Sequence, residues 1–140
     1  MASNGQGSSS VKALIVEDTA VETLIFSTML QIFHCEITIV KNGKEAVDLF
    51  LEGKKFDIIL LDKDIFLDND MPAMTSLEAV EKIRAMGETD VKIIGVSVDN
   101  NAGEALMSAG VNVFVPKPLK LDVLGAMIQE VINMKNNAIV

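Results

Sequence analysis

The sequence predicts an α/β fold, a single doubly wound (βα)5 domain built on a five-stranded parallel sheet. Three observations lead to this prediction. Short apolar runs alternate with longer segments of helical character along the chain, which is the order that successive βα units produce. The length of 140 residues suffices for one core but hardly for two. With 49% hydrophobic and 23% charged residues, the composition is that of a globular domain.

Each predicted element follows from the apolar pattern between polar or turn-forming segments. Strands buried in a parallel sheet appear as short, nearly continuous apolar runs, and helices as longer segments. In chain order, the predicted elements are strand 12–16, helix 20–33, strand 36–40, helix 44–51, strand 57–62, helix 75–86, strand 92–97, helix 103–109, strand 113–115 and helix 121–133. We expect a leader over 1–10, the domain over 11–134 and a frayed tail over 135–140.

Turn and cap signals set several of these boundaries. Thr19 precedes the first helix as a candidate cap, and Asn42-Gly43 marks the turn after the second strand. Thr75-Ser-Leu-Glu78 has the spacing of a capping box, in which the threonine and glutamate side chains accept hydrogen bonds from each other's backbone N–H groups. The third helix should therefore begin there.

Charge and cysteine content exclude several classes of protein. The net charge is -8 and the 12 Lys and Arg residues are scattered, whereas a nucleic-acid or anionic-membrane binder needs a basic patch. Cys35 is the one cysteine, so no internal disulfide and no cysteine zinc site is expected. No apolar stretch approaches the roughly 20 residues that span a bilayer, and residues 1–10 lack the features of a signal peptide. We expect a soluble monomer in the cytoplasm, with the nucleus as a second compartment.

Polar side chains stand at the carboxyl ends of the predicted strands, where doubly wound sheets carry their chemistry. Glu17 and Asp18 follow the first strand, Asp62 ends the third, Ser97 ends the fourth, and Lys117 follows the fifth. Converging carboxylates repel one another unless they share a cation, and a hard ion with oxygen ligands such as Mg²⁺ fits. Asp62 could then attack phosphorus, while the lysine and the serine bind the new phosphoryl oxygens.

This spacing closely resembles the response-regulator receiver family, over about residues 11–133. The resemblance implies a flavodoxin-like fold and a signalling domain rather than an enzyme. Such a domain accepts a phosphoryl group on an aspartate and assists its own Mg²⁺-dependent dephosphorylation. The implied roles are Mg²⁺ ligands at Glu17, Asp18 and Asp62, the phosphoacceptor at Asp62, the switch hydroxyl at Ser97 and a phosphate contact at Lys117.

Three further expectations come with the resemblance. The residue two positions after the acceptor, here Asp64, gives Mg²⁺ its backbone carbonyl in the family. The peptide bond between Lys117 and Pro118 is expected to be cis. Phe114 matches the aromatic residue that turns inward on phosphorylation.

Segments 78–87 and 115–124 look like plant single-domain receivers of the cytokinin-type multistep phosphorelay, and the group without output domains, called type-C, matches best. The phosphoryl donor in that system is a histidine-containing phosphotransfer protein, which docks beside the first helix. On a helical wheel, Leu24 lies opposite the predicted core face and is a candidate contact for this partner. The predicted core face consists of Val21, Ile25, Phe26, Met29, Ile32 and Phe33.

A near-duplication leaves two candidates for the acceptor. Residues 61–66 are echoed by residues 67–72, so Asp62 fits the strand, while Asp68 fits the usual spacing to Met71-Pro72. A strand that ended at Asp68 would bury charged residues, which is costly. Sliding the chain instead would remove four large apolar side chains from the core, each contributing roughly 1.5–3 kcal/mol. We therefore expect Asp62 to be the acceptor and keep Asp68 as the alternative.

Two other functions remain open. The loop 63–70 is about six residues longer than in typical receivers. Ser76 stands where receivers usually have a glycine. Val98 replaces a small residue and could narrow the access of phosphate to the site. A pseudo-receiver, a binding module that cannot be phosphorylated, is therefore one alternative. The other is a haloacid-dehalogenase-type phosphatase, because Asp62-Lys-Asp64 has the Asp-x-Asp spacing of that class, although such enzymes place the pair on their first strand.

Overall fold

The computed structural model describes residues 10–65 and 74–139. Five strands and five helices alternate within these residues. The strands are β1 Lys12–Val16, β2 Glu36–Val40, β3 Ile58–Asp62, β4 Lys92–Ser97 and β5 Val113–Pro116. The helices are α1 Ala20–Ile32, α2 Gly43–Leu51, α3 Ser76–Ala85, α4 Gly103–Ala109 and α5 Leu121–Ile139. All paired strands are parallel, in the order β2-β1-β3-β4-β5, so the predicted fold class is confirmed.

The sheet separates two apolar cores because neighbouring residues of a strand point to opposite faces. In β1, Leu14 and Val16 pack into the core shared with α2, α3 and α4. Ala13 and Ile15 enter the other core, which contains buried residues of α1 and α5. All five residues of β3 are buried, as expected for a central strand covered on both sides.

The predicted caps are present. Thr19 accepts a hydrogen bond from the Glu22 N–H group at the start of α1, and Asn42 caps α2 in the same way. Thr75 and Glu78 form both halves of the capping box. Each cap satisfies backbone N–H groups that have no partner within the helix.

The predicted core face of α1 is partly wrong. Phe26 is buried, but Val21 and Ile25 are exposed, and Leu30, which was not predicted, is fully buried. Because α1 is apolar on most of its circumference, the sequence period alone does not select one face. The exposed apolar side therefore includes Leu24 together with residues assigned to the core.

The predicted end of the last helix is also wrong. Instead of ending at residue 133, α5 continues to Ile139. The Lys135 ammonium group lies 2.8 Å from the Asp57 carboxylate and 3.0 Å from the Ser10 carbonyl oxygen. These contacts hold the extra turns of α5 against the residues that precede β1 and β3. Among the described helices, none is both long and apolar enough to cross a membrane.

The strand register brings the predicted site residues to one edge of the sheet. Asp62 of β3 pairs with Val96 of β4, and Ser97 pairs with Pro116 of β5. Val16, which precedes Glu17, pairs with Leu61. The carboxyl ends of β1, β3, β4 and β5 therefore meet, as the crevice rule for open α/β sheets requires.

Candidate functional site

The centre of the site is an ion pair between Asp62 and Lys117. The lysine Nζ atom lies 2.8 Å from Oδ2 of Asp62, whose residue is 1% exposed. The lysine follows β5, and the peptide bond from Lys117 to Pro118 is cis, as the resemblance implied. The two side chains arrive from different strands, so their contact depends on the folded sheet.

Lys117 also contacts two further carboxylates. Its Nζ atom lies 2.9 Å from Oε1 of Glu22 and 3.2 Å from Oδ2 of Asp64. Glu22 was missed by the sequence reasoning, which read it only as a residue of the first helix. The available signal was its place in the first turn of α1, beside the strand end that carries Glu17.

Glu17 is almost fully buried and only half satisfied. Its Oε1 atom accepts hydrogen bonds from the Asp18 N–H group and from the backbone and hydroxyl of Thr19, each at 3.1 Å. Its Oε2 atom is buried and receives no hydrogen bond from a described residue. Burial, together with the neighbouring Asp62 carboxyl, raises the pKa of Glu17 to about 8. The site thus disfavours a second negative charge next to Asp62.

The acidic group fits a hard divalent cation. Oxygen atoms of Glu17, Glu22 and Asp62 lie within 4.8 Å of one another, and the Oε2 atom of Glu17 has no donor within residues 10–65 and 74–139. Mg²⁺ prefers such oxygen ligands and keeps part of its water shell. Asp18, predicted as a ligand, is not a member of this group. The roles of Asp18 and of the Asp64 backbone carbonyl as ligands stay predictions.

Asp62 is held in its ionised form. Burial opposes its ionisation, but hydrogen bonding with Glu17 and Lys117 outweighs burial and lowers the pKa of Asp62. Burial likewise opposes the charge of Lys117, but Asp62 and Glu22 raise the pKa of the ammonium group. A carboxylate that stays ionised at neutral pH can act as a nucleophile.

Ser97 ends β4 and is fully buried. Its hydroxyl group donates to Oδ1 of Asp64 at 2.7 Å, and the Val98 N–H group donates to Oδ2 of Asp64 at 2.8 Å. Burial opposes ionisation of Asp64, but these two hydrogen bonds lower its pKa. In a receiver, Asp64 was expected to act through its backbone carbonyl, so this contact of its side chain was not predicted.

Two residues that depart from the family pattern lie next to the site. The Ser76 hydroxyl is buried and donates to the Asp62 carbonyl oxygen at 2.9 Å, which joins the start of α3 to the end of β3. The Val98 side chain is 70% exposed. Val98 lines a surface hollow together with Lys117, and the expectation that it narrows phosphate access stays a prediction.

The remaining predicted residues are placed as follows. Phe114 is half-buried, packs against the core beside α4, and lies 3.0 Å from the point where a Cβ atom on Gly103 would be. Leu24 is 66% exposed on α1. Asp68 and most of the loop 63–70 lie outside the described residues.

The chain matches a family model described as "Response regulator receiver domain" over residues 13–129. It is 51% identical over 138 residues to the two-component response regulator ORR42 of Oryza sativa subsp. japonica, covering 99% of this chain and 98% of that protein. It is 38% identical over 118 residues to the two-component response regulator 24 of Arabidopsis thaliana, covering 83% and 80% of the two chains.

Solved structures share the same fold. The receiver domain of the sensor histidine kinase PA1611 from Pseudomonas aeruginosa has a magnesium ion in its active-site cleft. It is 28% identical, with a TM-score of 0.74 and coverage of 89% of this chain and 98% of that one. The receiver domain of Ssk1 from Saccharomyces cerevisiae, crystallised with the histidine phosphotransfer protein Ypd1, is 24% identical, with a TM-score of 0.75 and coverage of 90% and 91%.

Proposed function

The chain belongs to the response regulator receiver family, and on this premise we propose that it accepts a phosphoryl group on Asp62 from a histidine-containing phosphotransfer protein. The observation that carries the proposal is the contact between the buried Asp62 carboxylate and the Lys117 ammonium group at 2.8 Å. This contact keeps the nucleophile ionised and places a cation where phosphoryl charge would arrive.

The residues of the site support an in-line transfer. One oxygen of Asp62 would attack phosphorus of a phosphohistidine, the P–N bond would break, and the imidazole would leave with the electron pair and take up a proton. Lys117 and the Ser97 hydroxyl can then bind the phosphoryl oxygens. A divalent ion held by Glu17, Asp62 and their neighbours would supply further positive charge to those oxygens.

Loss of the phosphoryl group would use the same groups. Water would attack phosphorus of the acyl phosphate, the P–O bond to Asp62 would break with its electron pair restoring the carboxylate, and inorganic phosphate and a proton would leave the site. We expect this step to depend on Mg²⁺, because the cation would offset the negative charge on the phosphoryl oxygens and on the departing carboxylate. We propose that the domain either passes the signal on as a phosphorylated protein or ends it by hydrolysis of its own acyl phosphate, and that it acts on no separate substrate.

An exposed apolar surface beside the site suits the proposed partner. The docking face, defined as Val21, Leu24, Ile25 and Val98, consists of side chains that are 48–70% exposed. Ile25 and Val98 line one surface hollow together with Lys117. A helical bundle that packs there would bring its phosphohistidine close to Asp62 while it covers apolar surface.

Replacing Leu24 with glutamate should weaken the complex with the phosphotransfer protein. The charge would have to be buried against an apolar partner surface, so we expect the dissociation constant to rise at least about tenfold. Isothermal titration calorimetry measures this. Leu51→Glu is the matched control, because Leu51 is 68% exposed on α2, in the layer on the other side of the sheet. Equal affinity of Leu24→Glu and wild type would remove Leu24 from the interface.

Transfer of label tests the function directly. A phosphotransfer protein that carries a radioactive phosphoryl label on its histidine is mixed with the chain, either with Mg²⁺ or with a chelator. We expect the label to move to the chain only with Mg²⁺, and to be lost in base, as for an acyl phosphate. A chain that binds the partner but takes no label would be a pseudo-receiver. Steady release of phosphate from small phosphoesters would indicate the phosphatase.

We propose that this transfer belongs to a cytokinin-type multistep phosphorelay, as the resemblance of segments 78–87 and 115–124 to plant single-domain receivers implies; the plant relatives are two-component response regulators. We propose the cytoplasm as its compartment, with the nucleus as a second one. Fluorescence microscopy of the tagged chain in plant cells tests the compartment, and exclusion from both would contradict it.

A further inference from the structure

The Asp64 side chain occupies the part of the site where phosphoryl oxygens would be bound. The phosphoryl subsite is defined here by three donors, the Ser97 hydroxyl, the Val98 N–H group and the Lys117 ammonium group. Asp64 engages all three, with Oδ1 at 2.7 Å from Ser97 and Oδ2 at 2.8 Å from Val98 and 3.2 Å from Lys117. Each of these donors comes from the edge of the sheet that surrounds Asp62.

A phosphoryl group on Asp62 would need the same donors. Its three outer oxygens carry negative charge and have to be hydrogen-bonded in a partly buried site. A carboxylate is a smaller anion that can bridge two or three donors in a similar way. While it does so, the donors are satisfied and the Lys117 charge is shared among Asp62, Glu22 and Asp64.

We infer that the Asp64 carboxylate is an internal occupant of the phosphoryl subsite and has to leave it before Asp62 can accept a phosphoryl group. The inference rests on the proposed function and deepens it. The Asp64 side chain acts as a gate, in the sense that it has to be displaced before Asp62 can be phosphorylated. An incoming phosphoryl group would meet a negative charge and donors that are already engaged. The gate therefore slows phosphorylation of this chain.

The surroundings of Asp64 allow the side chain to leave. Its side chain is 25% exposed, so rotation toward solvent would hydrate the carboxylate. Its backbone N–H group donates to Oδ1 of Asp62 at 2.7 Å, which can hold the main chain in place while the side chain turns. Only side-chain rotation is then needed to open the subsite.

Rates of labelling by a small acyl phosphate, acetyl phosphate with Mg²⁺, test the gate without any docking step. We expect Asp64→Ala and Asp64→Asn to be labelled at least about tenfold faster than the wild type, because charge-assisted hydrogen bonds no longer have to be broken. Asp90→Asn removes one exposed charge two residues before the start of β4, away from the carboxyl ends of the strands, and controls for net charge. Equal or slower labelling of both Asp64 variants would overturn the gate.

A second measurement does not depend on phosphorylation. Hydrogen exchange of the Val98 amide, followed by NMR, should be at least about tenfold faster in Asp64→Ala than in the wild type, since its acceptor is gone. Adding Mg²⁺ and beryllofluoride, a tetrahedral phosphoryl analogue, should restore protection in the variant. A Val98 amide that exchanges equally fast in both proteins would overturn the inference.

The two measurements separate the gate from the function on which it rests. If neither the wild type nor the Asp64 variants take label from acetyl phosphate or from the phosphotransfer protein, the proposed function is wrong. The hydrogen-exchange rate of the Val98 amide alone then decides whether Asp64 occupies the subsite. If the wild type is labelled as fast as the Asp64 variants, the function stands and the gate is wrong.

Discussion

Asp62→Asn is expected to take no label from the phosphorylated phosphotransfer protein, while Asp68→Asn is labelled like the wild type. An amide has no ionised oxygen to attack phosphorus, so the loss should be complete rather than partial. The amide keeps the shape of the carboxylate, and Lys117 retains its contacts with Glu22 and Asp64. We therefore expect Asp62→Asn to fold, which circular dichroism and thermal melting would check.

The reverse result would identify the other aspartate of the near-duplication. Label lost from Asp68→Asn and kept in Asp62→Asn would mean that the loop after β3 carries the acceptor. The structure favours Asp62, because it ends a fully buried strand and contacts the lysine. Loss of label from both variants would indicate that the two aspartates act together.

Lys117→Ala should be the variant with the largest effect on stability. The ammonium group pairs with Asp62, Glu22 and Asp64 and is 12% exposed. Its removal leaves the buried Asp62 carboxylate without its cation, and breaking a buried pair in this way costs about 3–5 kcal/mol. Urea denaturation at neutral pH measures the free energy of unfolding. We also expect label transfer to fall to background, since the phosphoryl oxygens lose their cation.

Magnesium distinguishes this electrostatic explanation from a general packing defect. Mg²⁺ should recover more stability in Lys117→Ala than in the wild type, because it returns positive charge to the same carboxylates and binds only the folded site. Lys44→Ala is the control, since Lys44 forms an exposed pair with Asp48 and should change stability by less than about 1 kcal/mol. An equal gain from Mg²⁺ in wild type and Lys117→Ala would contradict the explanation.

Much of the fold could be predicted because local signals agree with the tertiary structure. Apolar runs that end at carboxylates define β1 and β3, and Thr75 with Glu78 marks the start of α3 by a contact within one turn. The strand-end residues Glu17 and Asp62 could be placed together because parallel strands end at one edge of the sheet.

What could not be predicted depends on contacts between distant segments. The buried face of α1 is chosen by the sheet and α5, as the burial of Leu30 shows. The last turns of α5 rest on the contact between Lys135 and Asp57, 78 positions apart. The roles of Glu22 and of the Asp64 side chain emerge only when Lys117 is brought to them by the folded sheet.

Asp62 should be the residue that carries the phosphoryl group, and the position of an aspartyl phosphate in the chain can be determined chemically. Borohydride reduces an aspartyl phosphate to homoserine, and tryptic cleavage after Lys63 separates Asp62, in peptide 56–63, from Asp64, Asp68 and Asp70, in peptide 64–82. Mass spectrometry of the labelled and reduced wild-type chain should find homoserine at position 62. Homoserine in peptide 64–82, with Asp62 intact, would contradict the claim.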